Sequence, residues 1–241
     1  SNAYLTKNIK NKPSEVSRET GIRVLFFNLI FYIMLIPNYD NLLNKKNNFK
    51  QLHNFMPSKS FRLLICGPSG SDKTNALVHM LLKPLIYYDK VYLYAKNIDQ
   101  DKYQLLSNEL NKVAKKNKFS VDKIYEYSND KIKDVDELEN KLQKVVIFDD
   151  YICDKNQDQI IKYFIQGRQN CSIIYLSQSY YKTDKNIRLN FDHFILYEMS
   201  SVREESMISK ETGVPIEKYK KATKNQYHFL YIDKPNKTYR G

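Results

Sequence analysis

Cysteine, glycine and proline are scarce in this sequence. Among 241 residues there are three cysteines, six glycines and seven prolines, and tryptophan is absent. This composition excludes a collagen-like or wholly disordered chain, and the 42% of hydrophobic residues predicts a globular protein. The cysteines Cys66, Cys153 and Cys171 are odd in number and widely spaced, without a C-x-x-C pair. We therefore expect neither a disulfide framework nor a zinc site, and a reducing compartment follows.

A hydrophobic run long enough to cross a membrane is also missing. The apolar stretch at residues 24–36 stops at Pro37 and contains Asn28. It is shorter than the ~20 residues that a helix needs to span a bilayer. We predict a buried strand or helix here and no integral membrane span, with a membrane-surface anchor or a subunit contact as alternatives.

Negative charge is in the minority. The 27 Asp and Glu residues face 39 Lys and Arg residues, which gives a net charge of +12 and a pI near 9.3. Such a field attracts polyanions, either nucleic acid or an anionic membrane. Two groups of lysines are each either a solvated face or a set of contacts to a phosphate backbone. They are the first lysine cluster (Lys112, Lys115, Lys116 and Lys118) and the second lysine cluster (Lys218, Lys220, Lys221 and Lys224).

The chain divides into an N-terminal arm, residues 1–54, and a compact domain, residues 55–241. From Ser60 onward, short apolar runs alternate with helical periodicity, a pattern typical of βαβ units and a parallel sheet. The sequence therefore predicts an α/β fold with three layers. Strands are predicted at 61–66, 91–94, 145–148, 172–176, 194–197 and 227–232, and helices at 75–82, 103–113, 135–142 and 160–167.

The segment GPSGSDKT, residues 67–74, lies between a predicted buried strand and a predicted helix. It fits three of the four specified positions of the phosphate-loop motif G-x-x-x-x-G-K-S/T. In this motif small residues let backbone N–H groups face the phosphates, the lysine neutralises phosphate oxygens, and the hydroxyl ligates magnesium. The predicted nucleotide-binding residues are Gly67, Pro68, Ser69, Gly70, Ser71, Asp72, Lys73 and Thr74.

Asp72 stands where the motif has glycine. Aspartate tolerates left-handed backbone angles, so the loop can still form. Its carboxylate, however, adds negative charge close to the phosphates. We expect weakened nucleotide binding, and we expect Asp72→Gly to tighten ATP binding by at least about tenfold.

Polar residues end two of the predicted buried strands. Asp149 and Asp150 follow the apolar strand 145–148, and Gln178 follows the next strand along the chain. In phosphoryl-transfer enzymes a first carboxylate of this kind holds magnesium and a second polarises the attacking water. We therefore predict Thr74 and Asp149 as metal ligands and Asp150 as a catalytic acid, with Gln178 in reach of the γ-phosphate or the attacking water.

An arginine in a turn can serve a neighbouring subunit. Arg168 follows the predicted helix 160–167, and a guanidinium supplied from outside the loop stabilises phosphoryl-transfer transition states. A surface salt bridge is the alternative role for Arg168. Arg188 is a second candidate for the same function.

Three segments resemble the FtsK-HerA superfamily of P-loop ATPases, and within it the genome-packaging ATPases of large DNA viruses, virophages and Polinton-type elements. They are FRLLICGPSGSDKTNAL, KVVIFDDYI and GRQNCSIIYLSQSYYKTDKNIRLNFDHFILYEMSS. The resemblance covers roughly residues 55–235. Gln178 at the strand end separates this group from nucleotide kinases.

The resemblance implies a three-layer P-loop NTPase fold and an ATP-driven translocase on double-stranded DNA that works as a homo-oligomeric ring with Mg²⁺. It further implies that the protein is located in the host cell cytoplasm, a viral factory or the virion and is not secreted. A capsid or portal protein is implied as a further partner. The implied roles are the nucleotide loop for Lys73 and Thr74, magnesium for Asp149, water activation for Asp150, γ-phosphate sensing for Gln178 and a trans-acting finger for Arg168.

Two other functions stay open. Asp72 favours a nucleotide-impaired relative that binds DNA or a capsid partner without turnover. A P-loop kinase of a small molecule would need an arginine-rich lid, and residues 182–188 are a poor version of one.

Overall fold

The computed structural model describes residues 56–57, 60–83, 85–129, 131–152, 157–167 and 170–241. The predicted arm 1–54 with its apolar segment 24–36 lies outside these residues, so the predicted domain boundary stays a prediction. Within the described part of the chain, no helix is both long and apolar enough to cross a membrane.

Strands and helices alternate along most of the described chain, as the hydrophobic pattern predicts. The elements are β1 (Arg62–Cys66), α1 (Lys73–Leu82), β2 (Lys90–Ala95), α2 (Asp101–Lys116), β3 (Tyr125–Ser128), β4 (Lys144–Asp149), α3 (Gln157–Gln166), β5 (Cys171–Ser177), α4 (Lys185–Arg188), β6 (His193–Leu196), α5 (Val202–Thr212), α6 (Ile216–Thr223), β7 (Leu230–Asp233) and β8 (Thr238–Arg240).

The strands form one sheet in the order β3-β2-β4-β5-β1-β6-β7-β8. The first six strands in this order are parallel, and β7 and β8 add antiparallel pairs at one edge. The central strands β4 and β5 are buried along their whole length, because helices cover both faces of the sheet. The α/β fold with a mostly parallel sheet is therefore confirmed.

Side chains of β1 show how the three layers arise. Successive residues of a strand point to opposite faces. Leu63 and Ile65 pack into one buried cluster with residues of α1 and α2, whereas Leu64 and Cys66 pack into the other with residues of α3, α5 and α6. Because β1 lies between β5 and β6, the loop that follows Cys66 leaves the middle of the sheet at its carboxyl edge. Ligands bind at this edge in open α/β sheets.

The structure differs from the sequence-based prediction in the segment before β4. The predicted helix 135–142 is a single 3-10 turn, Val135–Glu137, in which the Asp134 N–H donates to the Glu137 carboxylate at 3.3 Å. The chain leaves the helical conformation at Leu138, whose φ is −80° and ψ 141°. The carbonyls of Glu139 and Leu142 accept hydrogen bonds from the Lys144 ammonium, at 2.7 and 3.3 Å, instead of from helical N–H groups. Leu138 is buried without a helix around it. The short edge strand β3 was not predicted.

Gly167 lies directly after α3, at the predicted helix end, where glycine commonly takes a left-handed backbone. Its backbone is not left-handed. A Cβ at this position would lie 2.6 Å from the Tyr163 carbonyl oxygen, so glycine is required by close packing against the helix. In α2 the buried stripe ends at Ala114, and Val113, the last residue of the predicted helix 103–113, is exposed.

Candidate nucleotide-binding site

The loop 67–72 leaves β1 and enters α1 at the carboxyl edge of the sheet. The Gly67 N–H donates to the Ser177 carbonyl of β5 at 3.1 Å, which ties the loop to the neighbouring strand. A Cβ on Gly67 would lie 2.5 Å from Ser71 Oγ and 2.7 Å from Tyr197 Cβ. Gly70 has a φ of 80°, which favours glycine. The loop therefore needs small residues at both positions.

Lys73 is the first residue of α1 and folds back over the loop. Its ammonium donates to the Gly67 carbonyl at 2.7 Å and to the Pro68 carbonyl at 2.8 Å. Burial lowers the pKa of Lys73, while the carboxylates of Asp149 and Asp150 favour its charged form. The ammonium therefore lies at the loop, where phosphate oxygens can take the place of the carbonyls.

Asp72 lies directly before α1 with φ 71° and ψ 18°. The left-handed conformation that the sequence predicts for this position is present. Asp72 Oδ1 accepts a hydrogen bond from the Asn75 side-chain amide at 2.8 Å and lies 3.5 Å from the Lys102 ammonium. The carboxylate at the unusual loop position is therefore already paired within the chain.

Asp149 and Asp150 differ sharply in environment although they are adjacent. Asp149 is 8% exposed and accepts a hydrogen bond from the Tyr103 hydroxyl at 2.6 Å. Burial raises the pKa of the Asp149 carboxyl, and the bond from Tyr103 opposes this rise. Asp150 is exposed, has a φ of 63°, and accepts a bond from the Gln178 side-chain amide at 3.4 Å. The chain turns between the two acids, so they are suited to different roles.

A pocket of about 230 Å³ joins these groups. It brings together most of the residues predicted for the site, from the loop, from β4 and from β5. The lining residues are Ser69, Gly70, Asp72, Lys73, Thr74, Gln100, Lys102, Asp149, Asp150, Leu176, Ser177 and Gln178. Gly67, Pro68 and Ser71 belong to the same loop but do not line the pocket.

Sequence reasoning missed the contribution of the start of α2. Lys102 lines the pocket, and Tyr103 lies behind it, where it contacts the Thr74 side chain as well as Asp149. The sequence shows Tyr103 only as one apolar position of an amphipathic helix. The signal that was available is topological, because β2 lies beside β4 and the segment following β2 begins at the same edge of the sheet.

The two arginine candidates have different outcomes. Arg168 lies outside the described residues, so its role stays a prediction. Arg188 is 7% exposed, and its guanidinium donates to the Glu211 carboxylate at 2.8 Å and to the Thr183 carbonyl at 2.8 Å. These contacts stabilise the packing of α4 and favour a structural role for Arg188 over that of a finger, which stays untested.

The donor set of the pocket fits a magnesium ion chemically. The Thr74 hydroxyl and the Asp149 carboxylate supply oxygen, the ligand that Mg²⁺ prefers, and substrate phosphates and water complete such sites in other proteins. Among the described residues there is no group of three or more His, Cys, Asp or Glu side chains that could hold a metal by itself.

A phosphate loop after the first strand of a mostly parallel sheet, with an acidic strand end beside it, defines the chain as a P-loop NTPase. The model of the family described as Poxvirus A32 protein matches residues 46–229. The chain belongs to this family, and the resemblance to viral packaging ATPases is confirmed. Sequence comparison with curated proteins finds no significant match.

Solved structures of genome-packaging ATPases share the fold. The genome packaging NTPase B204 from Sulfolobus turreted icosahedral virus 2, in complex with AMP, matches with a TM-score of 0.55 at 16% identity, over 75% of this chain and 96% of that chain. Its complex with ATP-gammaS matches with a TM-score of 0.53 at 16% identity, over 75% and 95% of the two chains. B204, the DNA-packaging ATPase from Sulfolobus turreted icosahedral virus, matches with a TM-score of 0.54 at 17% identity, over 76% and 96%.

Proposed function

We propose that this protein is an ATPase that uses ATP hydrolysis to translocate double-stranded DNA during genome packaging. The observation that carries the proposal is the pocket at the carboxyl edge of the sheet, where the phosphate loop, Lys73, the two strand-end acids and Gln178 meet. The family match and the shared fold with packaging ATPases support the same function.

The residues of the pocket divide the work of ATP hydrolysis. The loop amides and Lys73 bind the β- and γ-phosphates, and Thr74 and Asp149 would hold Mg²⁺, which would supply neutralising charge for the phosphate oxygens. Asp150, exposed and free of the buried Tyr103 contact, orients and polarises the attacking water. Gln178 already donates to Asp150 at 3.4 Å, so it lies where it can register the γ-phosphate and its loss.

Duplex DNA is the proposed partner because the chain carries an excess of positive charge. In the first lysine cluster Lys112 is paired with Glu109 at 2.7 Å, and in the second Lys220 is paired with Glu205 at 3.0 Å. The other members of both clusters are exposed. We expect them to contact phosphates, which makes binding tolerant of sequence and steeply dependent on salt.

Assembly into a ring completes the proposal. A ring would let Arg168 of one subunit act on the ATP of its neighbour, and a capsid or portal protein would anchor the ring. We place this work in the host cell cytoplasm, a viral factory or the virion. A nucleotide-impaired relative remains the second candidate, because Asp72 replaces the loop glycine.

Two single variants test the catalytic site. Asp150→Asn should abolish hydrolysis and retain Mg²⁺-dependent ATP binding, whereas Asp149→Asn should weaken the Mg²⁺-dependent binding itself. Asp158→Asn, which changes an exposed acid of α3, is the matched control and should alter neither. Binding is measured by calorimetry and turnover by phosphate release.

Equal loss of ATP binding in both strand-end variants would contradict this division of roles. Stoichiometric ATP binding without turnover in the unmodified chain, with and without DNA, would favour the impaired relative.

A further inference from the structure

Asp72 and Lys102 form an ion pair across the mouth of the phosphate pocket. The Lys102 ammonium lies 3.5 Å from Asp72 Oδ1, and both side chains line the pocket. The pair joins the loop to α2, an element that the phosphate-loop motif does not include. The motif has glycine where this chain has Asp72, so the motif does not account for a lysine that pairs with this position.

The charges of Asp72 and Lys102 cancel, so the net charge of the pocket lining is the same as it would be with glycine at position 72 and no lysine at position 102. Lys73 and Lys102 are the cations of the lining, and Asp72, Asp149 and Asp150 are its carboxylates. Without Lys102, the carboxylate of Asp72 would face the phosphates unpaired. Lys102 is close enough to Lys73 that its charge helps to lower the pKa of Lys73, after burial, so it acts inside the same electrostatic environment.

The position of Lys102 is fixed by its neighbour along the helix. Tyr103 is 1% exposed and bonded to Asp149 at 2.6 Å, which anchors the first turn of α2 against β4. Consecutive helical residues point in different directions, so one turn contacts Asp149 with Tyr103 and Asp72 with Lys102. On the loop side, the Asn75 amide holds the same Asp72 oxygen at 2.8 Å.

We propose that Lys102 is a positioning residue of the nucleotide site, which neutralises Asp72 and keeps its carboxylate turned away from the phosphates. This inference rests on the proposed ATPase function. It also changes the expectation for the loop. Asp72→Gly alone should shift the ATP dissociation constant by less than about threefold, instead of the tenfold tightening expected from an unpaired carboxylate.

A double-mutant cycle tests the pair. With Asp72 present, Lys102→Met should weaken ATP binding by about tenfold, or about 1.4 kcal/mol. In the Asp72→Gly background the same substitution should cost less than about threefold, because no carboxylate is left to neutralise. In steady-state kinetics Lys102→Met should raise KM for ATP at nearly constant kcat, and Lys102→Arg should restore KM. The loss should shrink as salt is raised, because the pair is partly exposed.

Lys112→Met is the matched control, since Lys112 is a lysine of the same helix that pairs with Glu109 away from the pocket. It should leave the ATP dissociation constant unchanged. An unchanged constant in Lys102→Met overturns the inference. So does an equal loss in both backgrounds, because Lys102 would then act on the nucleotide independently of Asp72.

The inference and the function fail in different ways. Failure of the unmodified chain to bind ATP refutes the proposed function and this inference with it. ATP binding with no coupling between Asp72 and Lys102 refutes the inference alone. The melting temperature of each variant shows whether the fold is kept, and Lys102→Gln, which also removes the charge, serves as the second variant if Lys102→Met does not fold.

Discussion

The hydrogen bond between Tyr103 and Asp149 predicts how strongly ATP hydrolysis should depend on the Mg²⁺ concentration. Tyr103→Phe removes one hydroxyl from a buried position and leaves the ring that packs in the core. The lost bond is short, 2.6 Å, and its acceptor is a carboxylate proposed to hold Mg²⁺. A hydrogen bond to a charged group contributes ~1.5–3 kcal/mol, more than one between neutral groups.

This energy sets the size of the effect. At ~1.4 kcal/mol for each factor of ten, loss of the bond corresponds to a rise of about tenfold to a hundredfold in the Mg²⁺ concentration for half-maximal ATP hydrolysis. Loss of a side chain that orients a metal ligand typically has an effect of about this size. Affinity for ATP in the absence of Mg²⁺ should change little, because Tyr103 does not line the phosphate pocket.

The assay is a Mg²⁺ titration of phosphate release at fixed ATP, with calorimetry to measure ATP binding with and without Mg²⁺. Tyr125→Phe is the control, because it removes the hydroxyl of another buried tyrosine that lies outside the phosphate pocket. An unchanged Mg²⁺ dependence in Tyr103→Phe, or an equal change in both variants, would refute the reasoning.

Three further expectations follow from the structure. Replacing the four lysines of the second lysine cluster by alanine should reduce the slope of log K against log salt for duplex DNA binding by ~2.7. This is about 0.9 for each of three lysines, because Lys220 is already paired with Glu205. An unchanged slope in a filter-binding titration would show that the cluster does not contact DNA. Burial lowers the pKa of His193, so the unfolded chain binds its proton more readily and the melting temperature should fall as the pH drops below ~6.5. His193→Asn should flatten that decline, and an unchanged decline would assign it to other groups. Gly67→Ala should weaken ATP binding by at least about tenfold, because the new methyl group would overlap Ser71 and Tyr197; a normal dissociation constant by calorimetry would show that the loop can shift without loss.

The sequence was sufficient for the features that depend on local pattern. The central strands are buried on both faces, so each appears in the sequence as a short apolar run, and the runs at 145–148 and 172–176 agree with β4 and β5 to within a residue or two at each end. The phosphate loop and the two acids at the end of β4 follow from spacing alone. The tolerance of Asp72 for left-handed angles follows from its residue type.

Features that depend on distant residues were not accessible in this way. The segment 135–142 has helical periodicity, but its Glu139 and Asn140 carbonyls accept hydrogen bonds from the side chains of Lys144 and Asn170 instead of from helical N–H groups. Tyr103 and Asp149 are separated by 46 positions in the sequence. Asp72 and Lys102 form their ion pair although α1 and β2 lie between them along the chain. No local sequence pattern encodes these contacts, so the predicted site lacked the residues that α2 contributes, Lys102 and Tyr103.

ATP-driven movement along duplex DNA is the central claim, and displacement of a third strand from a DNA triplex measures it directly. With Mg²⁺ and ATP, the unmodified chain should release the third strand and hydrolyse ATP faster when duplex DNA is present. Asp150→Asn should bind DNA and ATP and release no third strand. ATP hydrolysis at the same rate with and without DNA, together with an intact triplex, would contradict the account.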